Sequence, residues 1–434
     1  MSAERQQTEI GEFPSTWEVN RVDSAFDIQQ GKQVSKKNRA GNNQRPFLRT
    51  KNVFWNRLEL SDLDQMHFTE AEESRLKLRT DDLLVCEGGS IGRTAIWNSE
   101  VDGCLYQNHL HRLRAKGEKA EPQFGVYWLW YAFDVAKLYF GRGNVTTIPN
   151  LSQSKLAELP IALPPLPEQK KIAHILSAVQ RSIEAQERII QTTNELKKAL
   201  MHKLFTEGLR NEPEKQTEIG PVPESWEVVP CQEVCEKITV GIVVKPSSYY
   251  VPKGVPAFRS QNVREDRLQL EPMVYISEKA NDGPVAKSKL STGDVLIVRT
   301  GYPGTSCVVP PEFDGSNCID LIIIRPNTAK LQSHYLSRFF NSDAAKVQVQ
   351  AGKIGLAQQH FNVGAVKRTL VPIPSKTEQN KIVVNLELID TKYNSATSKR
   401  DLLQELFRTL LHELMTARTR VHNLEIPKLE LAAN

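Results

Sequence analysis

One stretch of the sequence constrains the fold most, because it is long and contains neither proline nor glycine. It runs from Glu168 to Glu207, follows a proline cluster at 164–167 and is closed by Gly208. Proline before a helix, glycine after it and neither inside is the pattern of one continuous helix. At 1.5 Å per residue the helix would be about 60 Å long, far longer than the average globular helix.

The same feature occurs again 210 residues later, where Glu168-Gln169-Lys170-Lys171-Ile172 returns as Glu378-Gln379-Asn380-Lys381-Ile382. Residues 375–426 also contain no Pro or Gly. Apolar residues with 4,3 spacing follow each opening motif and predict a coiled-coil seam. The seam residues are Ile172, Leu176, Val179, Ile183, Ile190, Leu200 and Leu204 in the first helix, and Ile382, Leu386, Ile389, Tyr393, Leu403, Phe407, Leu410 and Leu414 in the second.

Two seams of equal length in one chain can bury each other. The alternative is two surface helices that belong to separate cores, and the length of the helices argues against it. A parallel pair would place the two preceding segments at one end, whereas an antiparallel pair would place them at opposite ends. An antiparallel pair would also bring Thr193 and Tyr393 together near its midpoint.

The segments before the helices are duplicated as well. Thr8-Glu9-Ile10-Gly11 with Trp17 reappears as Thr217-Glu218-Ile219-Gly220 with Trp226. The sequence therefore predicts an α+β protein with two mixed α/β domains in tandem, at 1–160 and 211–371, each followed by a helical region, at 161–210 and 372–434 with a tail. Within the domains we expect buried strands at 82–86, 294–298 and 321–324, and helices at 124–137 and 335–346.

Composition narrows the class of protein only slightly. The chain has 434 residues and a net charge of +5, which is too mild to identify a partner. Its six cysteines show no zinc-ligand spacing, so we expect reduced thiols. No apolar run reaches 18 residues, which predicts a cytoplasmic protein without a membrane span.

Motifs for catalysis are missing from the sequence. It contains no G-x-x-x-x-G-K-[ST] phosphate loop, no Asn/Asp-Pro-Pro-aromatic motif of amino-methyltransferases and no His/Cys cluster with zinc spacing. We therefore predict neither a catalytic site nor a metal site.

The clearest local signal is positive charge between Gly31 and Leu58, where eight basic residues occur with no acidic one. Lys and Arg neutralise phosphates, and Arg, Asn and Gln also read base edges. The alternative is a solvated basic face. The candidate DNA-binding residues here are Lys36, Lys37, Arg39, Arg45, Arg49, Lys51 and Arg57.

Comparison of the two copies refines this prediction. If the domains read different sequences, positions kept between copies should be scaffold or phosphate contacts, and positions that differ should read bases. Kept pairs include Arg49/Arg259, Asn52/Asn262 and Arg57/Arg267, whereas Lys51/Gln261, Glu87/Arg299 and Arg93/Thr305 differ. Drift on a surface is the alternative at any one position. The comparison adds Arg93 in the first domain and Lys245, Arg259, Gln261, Arg264, Arg267, Arg299 and Thr305 in the second.

The order of domain, proline-containing segment, Glu-Gln-x-Lys-Ile and long helix, repeated once, resembles the specificity subunits of type I restriction-modification systems. The resemblance covers nearly the whole chain. It is carried by Leu163-Pro164-Pro165-Leu166-Pro167-Glu168-Gln169, by Pro372-Ile373-Pro374 with Glu378-Gln379, and by Gly89-Ser90-Ile91-Gly92-Arg93. The second copy departs from the pattern with Ser375-Lys376-Thr377 where the first has Pro165-Leu166-Pro167.

The resemblance implies that each domain is a target-recognition domain for double-stranded DNA and that an antiparallel coiled coil sets the distance between two half-sites. The DNA target would be bipartite and asymmetric. Adenine methyltransferase subunits, expected in two copies, would dock on the helical region and carry S-adenosylmethionine, and ATP-dependent restriction subunits would join them. The chain itself would hold no cofactor and catalyse nothing.

Three other functions stay open from the sequence alone. A fused methyltransferase or nuclease with unrecognised motifs would modify DNA as a purified chain. A scaffold that does not bind DNA would show no salt-dependent binding. The specificity subunit of a related system with a fused nuclease-methyltransferase partner would differ in its neighbouring genes.

Overall fold

The computed structural model describes residues 4–140, 150–351 and 361–425. It divides into two compact units: unit 1 is Met1–Glu187 with Ser398–Asn434, and unit 2 is Arg188–Thr397. Each unit holds one repeated domain and one half of each long helix. The predicted tail beyond Glu425 lies outside the described residues.

Unit 1 is built on a four-stranded antiparallel sheet in the order Thr94–Trp97, Asp82–Cys86, Leu110–Ala115 and Phe26–Gln30. Asp82–Cys86 is buried throughout, as its apolar run predicts.

Unit 2 repeats this sheet with Ser306–Val308, Val295–Val298, Leu321–Pro326 and Cys235–Val240 in the same order. The predicted fold class, α+β with two mixed α/β domains in tandem, is confirmed.

The remaining elements follow the same duplication, and helices here include short 3-10 turns. The other strands of unit 1 are Arg5–Thr8, Gly11–Pro14, Glu18–Arg21, Gln44–Leu48, Val53–Phe54, Arg57–Leu58, Asp64–His67, Leu105–Tyr106 and Pro160–Leu163, and its short helices are Val22–Ala25, Lys36–Arg39, Thr50–Asn52, Glu70–Leu76, Pro122–Trp130, Leu138–Phe140 and Gln153–Glu158. The other strands of unit 2 are Glu214–Thr217, Gly220–Pro223, Glu227–Pro230, Tyr250–Val251, Val255–Phe258, Val263–Arg264, Arg267–Leu268, Val274–Ile276, Asn317–Cys318 and Leu370–Ile373, and its short helices are Cys231–Glu233, Pro246–Tyr249, Ser260–Asn262, Glu278–Asp282, Ala286–Ser288, Pro311–Phe313, Ser333–Asn341, Asp343–Ala351 and Val363–Arg368.

Two predicted helices differ in detail. The helix expected at 124–137 is Pro122–Trp130 followed by one π turn, Tyr131–Val135. The helix expected at 335–346 is broken at Ser342, whose extended backbone ends one helix while its hydroxyl accepts a hydrogen bond from the Ala345 N–H of the next. A serine that caps the following turn competes with helix continuation.

The two long helices form where the sequence predicts them, at Leu166–Thr206 and Lys376–Met415. Gly208 adopts a left-handed backbone (φ 65°) just after the first helix. The second helix stops well before Ile426 because Ala417 takes up the same conformation (φ 52°) without a glycine.

Ion pairs at the helix ends show that the helices pack antiparallel. In unit 1, Glu168 at the start of the first helix accepts two hydrogen bonds, at 2.7 and 2.9 Å, from Arg420, which follows the end of the second. In unit 2, Glu378 at the start of the second helix lies 3.5 Å from Arg210, which follows the end of the first. In an antiparallel pair, the residue numbers of facing positions have a constant sum. That sum is 588 for both ion pairs, so the helices have the same register in each unit.

The seam residues differ in burial along each helix. Ile172, Leu176, Leu204, Ile382, Leu386, Phe407 and Leu414 are buried, whereas Val179, Ile183, Ile190, Leu200, Ile389, Leu403 and Leu410 are half-buried. Ile172, Leu176 and Leu414 belong to the core of unit 1, and Leu204, Ile382 and Leu386 to that of unit 2. Tyr393, expected opposite Thr193, is 37% exposed, and Ala396 is the buried residue of that turn.

Candidate nucleic-acid interface

The basic stretch of the first domain is partly neutralised by acidic residues that lie close only after folding. Five of its eight cations form ion pairs with side chains at 62–73. They are Lys32–Glu72 (2.5 Å), Arg39–Asp64 (3.1 Å), Arg45–Glu73 (2.9 Å), Arg49–Asp64 (2.8 Å) and Lys51–Asp62 (2.5 Å).

Asp64 and Glu73 have pKa values below the usual range, which favours their ionised form. Burial acts to raise the pKa of Asp64, but hydrogen bonds from Arg49 and Arg39 outweigh it and leave that pKa below its usual value. The Arg45 hydrogen bond likewise lowers the pKa of Glu73. A cation that already has such a partner gains less from a phosphate, so the uniform basic face expected from the sequence is interrupted.

Three predicted cations stay exposed and outside these pairs. Among the described residues, the ion pairs do not involve Lys36, Lys37 or Arg57. Lys36 and Lys37 lie on a four-residue helix, Lys36–Arg39, that Ser35 caps through the Asn38 N–H. These side chains are available to phosphate oxygens.

Arg57 and Arg93 meet over one aromatic ring. Phe54 and Arg57 are on the two strands of a hairpin, Val53–Phe54 with Arg57–Leu58. The Arg57 and Arg93 guanidinium groups lie 4.9 and 5.3 Å from the centre of the Phe54 ring. We call Phe54, Arg57 and Arg93 the Phe54 patch. Arginines fixed on an aromatic face offer charge and a stacking surface together.

A tight turn carries Arg93 to this position. Gly89 and Gly92 adopt positive φ angles of 74° and 81°, which a side chain would disfavour. A Cβ on Gly92 would also come within 2.2 Å of the Phe133 ring. The turn, Trp55 and Lys137 line a cavity of about 320 Å³ beside the patch.

The second domain carries different chemistry at the same positions. Arg264 replaces Phe54 at the equivalent hairpin and Thr305 replaces Arg93, whereas Arg57 is kept as Arg267. The Arg264 guanidinium donates to the Val263 carbonyl at 3.0 Å.

The four other predicted residues of the second domain differ in their contacts. Arg299 pairs with Asp320, and the Gln261 amide donates to the Pro272 carbonyl at 3.2 Å. Lys245 is exposed, whereas the Arg259 Nε is buried without a hydrogen-bond partner among the described residues.

Several residues that are identical in the two copies have a structural role. Asn52 and Asn262 are buried, and each accepts a hydrogen bond from the backbone N–H three residues earlier and donates to two carbonyls. Asp82 and Asp294 are buried acceptors for Arg114 and Arg325.

Sequence reasoning missed the helix-end arginines Arg210 and Arg420. Their signal was present, because they are 210 residues apart and end the related segments Met201–Arg210 and Leu411–Arg420. These arginines explain why the Glu of each opening motif recurs.

Other site types are not evident in the described part of the chain. Among these residues, no group of three or more His, Cys, Asp or Glu side chains is arranged so that it could hold a metal ion. Within residues 4–140, 150–351 and 361–425, the helices are all too short or too polar to cross a membrane.

Comparisons with known proteins agree with the duplicated architecture. A family model described as the type I restriction modification DNA specificity domain matches residues 14–195. A Methanocaldococcus jannaschii chain, named as a candidate MjaX type I restriction enzyme specificity subunit, is 25% identical over 425 residues, which cover 96% of each chain.

Solved structures share the fold. The type I restriction-modification S subunit from M. genitalium gives a TM-score of 0.57 at 16% identity, covering 92% of this chain and 96% of that one. A chain from work on complex assembly and conformational transition of the type I R-M system gives a TM-score of 0.56 at 18% identity, covering 94% and 99%.

Two homologous domains with unlike surfaces and a pair of antiparallel helices are the arrangement expected of a two-domain DNA-specificity protein. By the family match over residues 14–195 and by relatives that align along nearly its whole length, the chain is similar to the specificity subunits of type I restriction-modification systems.

Proposed function

We propose that this chain reads a bipartite, asymmetric site in double-stranded DNA, one half-site per domain, and recruits methyltransferase and restriction subunits without catalysing a reaction itself. The observation that carries the proposal is the unlike chemistry at one structural position: Phe54 and Arg93 of the first domain correspond to Arg264 and Thr305 of the second, while Arg57 is kept as Arg267. Two domains of one fold with different side chains at one surface would select different bases.

In the first domain, the Phe54 patch would contact the DNA. Replacing Arg57 and Arg93 with alanine should weaken binding to the cognate site about tenfold per side chain, and the loss of the kept Arg57 should reduce the salt dependence of binding by about one phosphate contact. The measurement is a titration of labelled duplex at several salt concentrations with the assembled methyltransferase complex.

Arg45→Ala is the matched control, because it removes the same charge from the same domain while Glu73 already holds the guanidinium. It should change the affinity much less. Equal losses for Arg45→Ala and for the patch variants would mean that net charge alone matters, and the patch would not be a contact.

Methyltransferase subunits, which we propose would carry S-adenosylmethionine, need an exposed apolar surface on the helical region. Leu196 and Leu406 occupy the same repeat position, 28 residues after Glu168 and Glu378, and are 53% and 46% exposed. One such leucine in each unit is consistent with two bound copies.

Leu406→Asp should therefore remove one methyltransferase copy, and Leu196→Asp with Leu406→Asp should remove both. Native mass spectrometry of the co-purified complex would count the copies. Thr192→Asp places the same charge at an exposed position one turn from Leu196 and should leave two copies bound. A full complement on the double variant would exclude this surface.

A further inference from the structure

Unit 2 contains an ionic cluster where its domain meets both long helices, built around the buried Arg338, with Lys197 and Asp390 half-buried. The Arg338 guanidinium lies 2.8 Å from the Asp266 carboxylate and 2.5 Å from that of Asp390, and the Lys197 ammonium lies 2.7 Å from the other Asp390 oxygen. Ser337 also donates to Asp266 at 2.8 Å. Two cations and two carboxylates balance in this cluster, which we call the ionic joint.

Unit 1 contains an uncharged network at the corresponding place. The Asn56 amide donates to Gln180 at 2.9 Å, and the Tyr127 hydroxyl contacts Gln180 and Ser177, each at 3.0 Å. Phe407 closes it, with its ring centre 6.0 Å from that of Tyr127. We call this the neutral joint.

The two joints are built from equivalent positions. Asn56 and Asp266 are both hairpin-turn residues with positive φ angles, 52° and 59°. Gln180 and Asp390 both lie 12 residues after the motif glutamate of their helix.

The domain helix supplies the third position. Tyr127 and Arg338 each lie six residues after the residue whose N–H donates to the motif glutamine, Gln169 or Gln379.

The fourth position of each joint comes from the helix of the other repeat. Lys197 belongs to the first long helix and completes the joint of the second domain. Phe407 belongs to the second long helix and packs on Tyr127 and on Trp130, the latter with ring centres 4.9 Å apart. Lys197 and Phe407 are themselves equivalent, 210 residues apart.

Because the two helices are similar, like helices from two copies of the chain could in principle pair. Phe407 would then stand at the ionic joint and leave two carboxylates against the single guanidinium of Arg338. Removing one partner from an ion cluster around a buried guanidinium is destabilising. Lys197 would stand beside Tyr127 and lose the ring contacts that Phe407 makes.

We propose that the two joints are a selectivity lock that pairs each helix with the unlike repeat and rejects pairing of like halves between copies of this chain. A polar residue that specifies the partner of a helix works in the same way in coiled coils. The lock keeps two unlike domains on one helix pair. If the proposed function holds, the lock also keeps the DNA target asymmetric.

The exchange variant Lys197→Phe with Phe407→Lys tests the lock in the full-length chain. Within one chain, the variant places Phe at the ionic joint and Lys at the neutral joint, so both joints are mismatched. When like helices of two copies pair, Lys returns to the ionic joint and Phe to the neutral joint. Two differently tagged copies are co-expressed, captured by one tag and probed for the other. We expect the mixed-tag fraction to rise at least about tenfold over the wild type.

Single variants complete the test. Lys197→Arg keeps the charge and should behave as the wild type, whereas Lys197→Phe alone should lower the unfolding midpoint by about 10 °C. An exchange variant that is folded and shows the wild-type mixed-tag fraction would overturn the lock, whatever its midpoint.

If the exchange variant does not fold, the pair Lys197→Met and Asp390→Asn decides. Their effects on the midpoint should be strongly non-additive, because each removes one side of the same contact. Additive losses would overturn the proposal.

Discussion

Replacing Gln379 with alanine should lower the free energy of unfolding of unit 2 by about 3–5 kcal/mol. The side chain is fully buried and makes three hydrogen bonds. Its oxygen accepts from the Gln332 N–H at 2.8 Å, and its nitrogen donates to the Lys330 and Pro374 carbonyls at 2.9 and 3.0 Å. Alanine would remove the hydrogen-bond partner of all three backbone groups, of which the bond to the Pro374 carbonyl is fully buried. Guanidinium unfolding of the variant and the wild type measures the loss.

Gln169 provides an internal replicate, because it makes the same three contacts with Glu121, Lys119 and Pro164 in unit 1. Gln191→Ala is the matched control. Gln191 lies on the same helix as Gln169, is exposed, and donates a hydrogen bond to Glu195 one turn away. The substitution should cost less than about 0.5 kcal/mol. Similar losses at Gln379 and Gln191 would show that the motif glutamine is not a structural hub.

The long helices could be predicted from the sequence because their signal is local. Absence of Pro and Gly, an apolar spacing and flanking breakers all lie within the element. The duplication then revealed which residues were kept, although not why. The structure gives the reason for the Glu-Gln motif: Gln379 fastens the helix to its own domain, and Glu378 binds Arg210 beyond the end of the opposite helix.

The charge of the candidate DNA surface could not be predicted in the same way. The basic stretch is free of acid in sequence, but Asp64 and Glu73 reach Arg49 and Arg45 when strand Asp64–His67 pairs with Gln44–Leu48. The register of the two strands determines which charged side chains lie next to each other. A count of charges within one segment contains no information on that register. For the same reason Arg57 and Arg93, far apart in sequence, were predicted separately and are found over one ring.

Shortening both long helices by seven residues should shorten the unread spacer of the DNA target by about three base pairs. Seven residues span about 10.5 Å of helix, and base pairs follow at about 3.4 Å. We propose deleting 186–192 and 396–402, which the observed register pairs with each other. A heptad deletion preserves the 4,3 seam and leaves both opening motifs, Lys197 and Asp390 in place. Mapping methylated adenines in cells that express the variant with its methyltransferase partner gives the spacer.

Deleting 186–192 alone separates a change of length from damage to the helix pair. The single deletion shifts one helix against the other by two turns, so Arg420 and Arg210 could not both reach Glu168 and Glu378. That variant should lose methylation altogether, because the antiparallel register would fail at one end. The paired deletion should keep both half-sites and change only the distance between them. Methylation at the original spacing by the paired variant would mean that something other than the helices sets the distance.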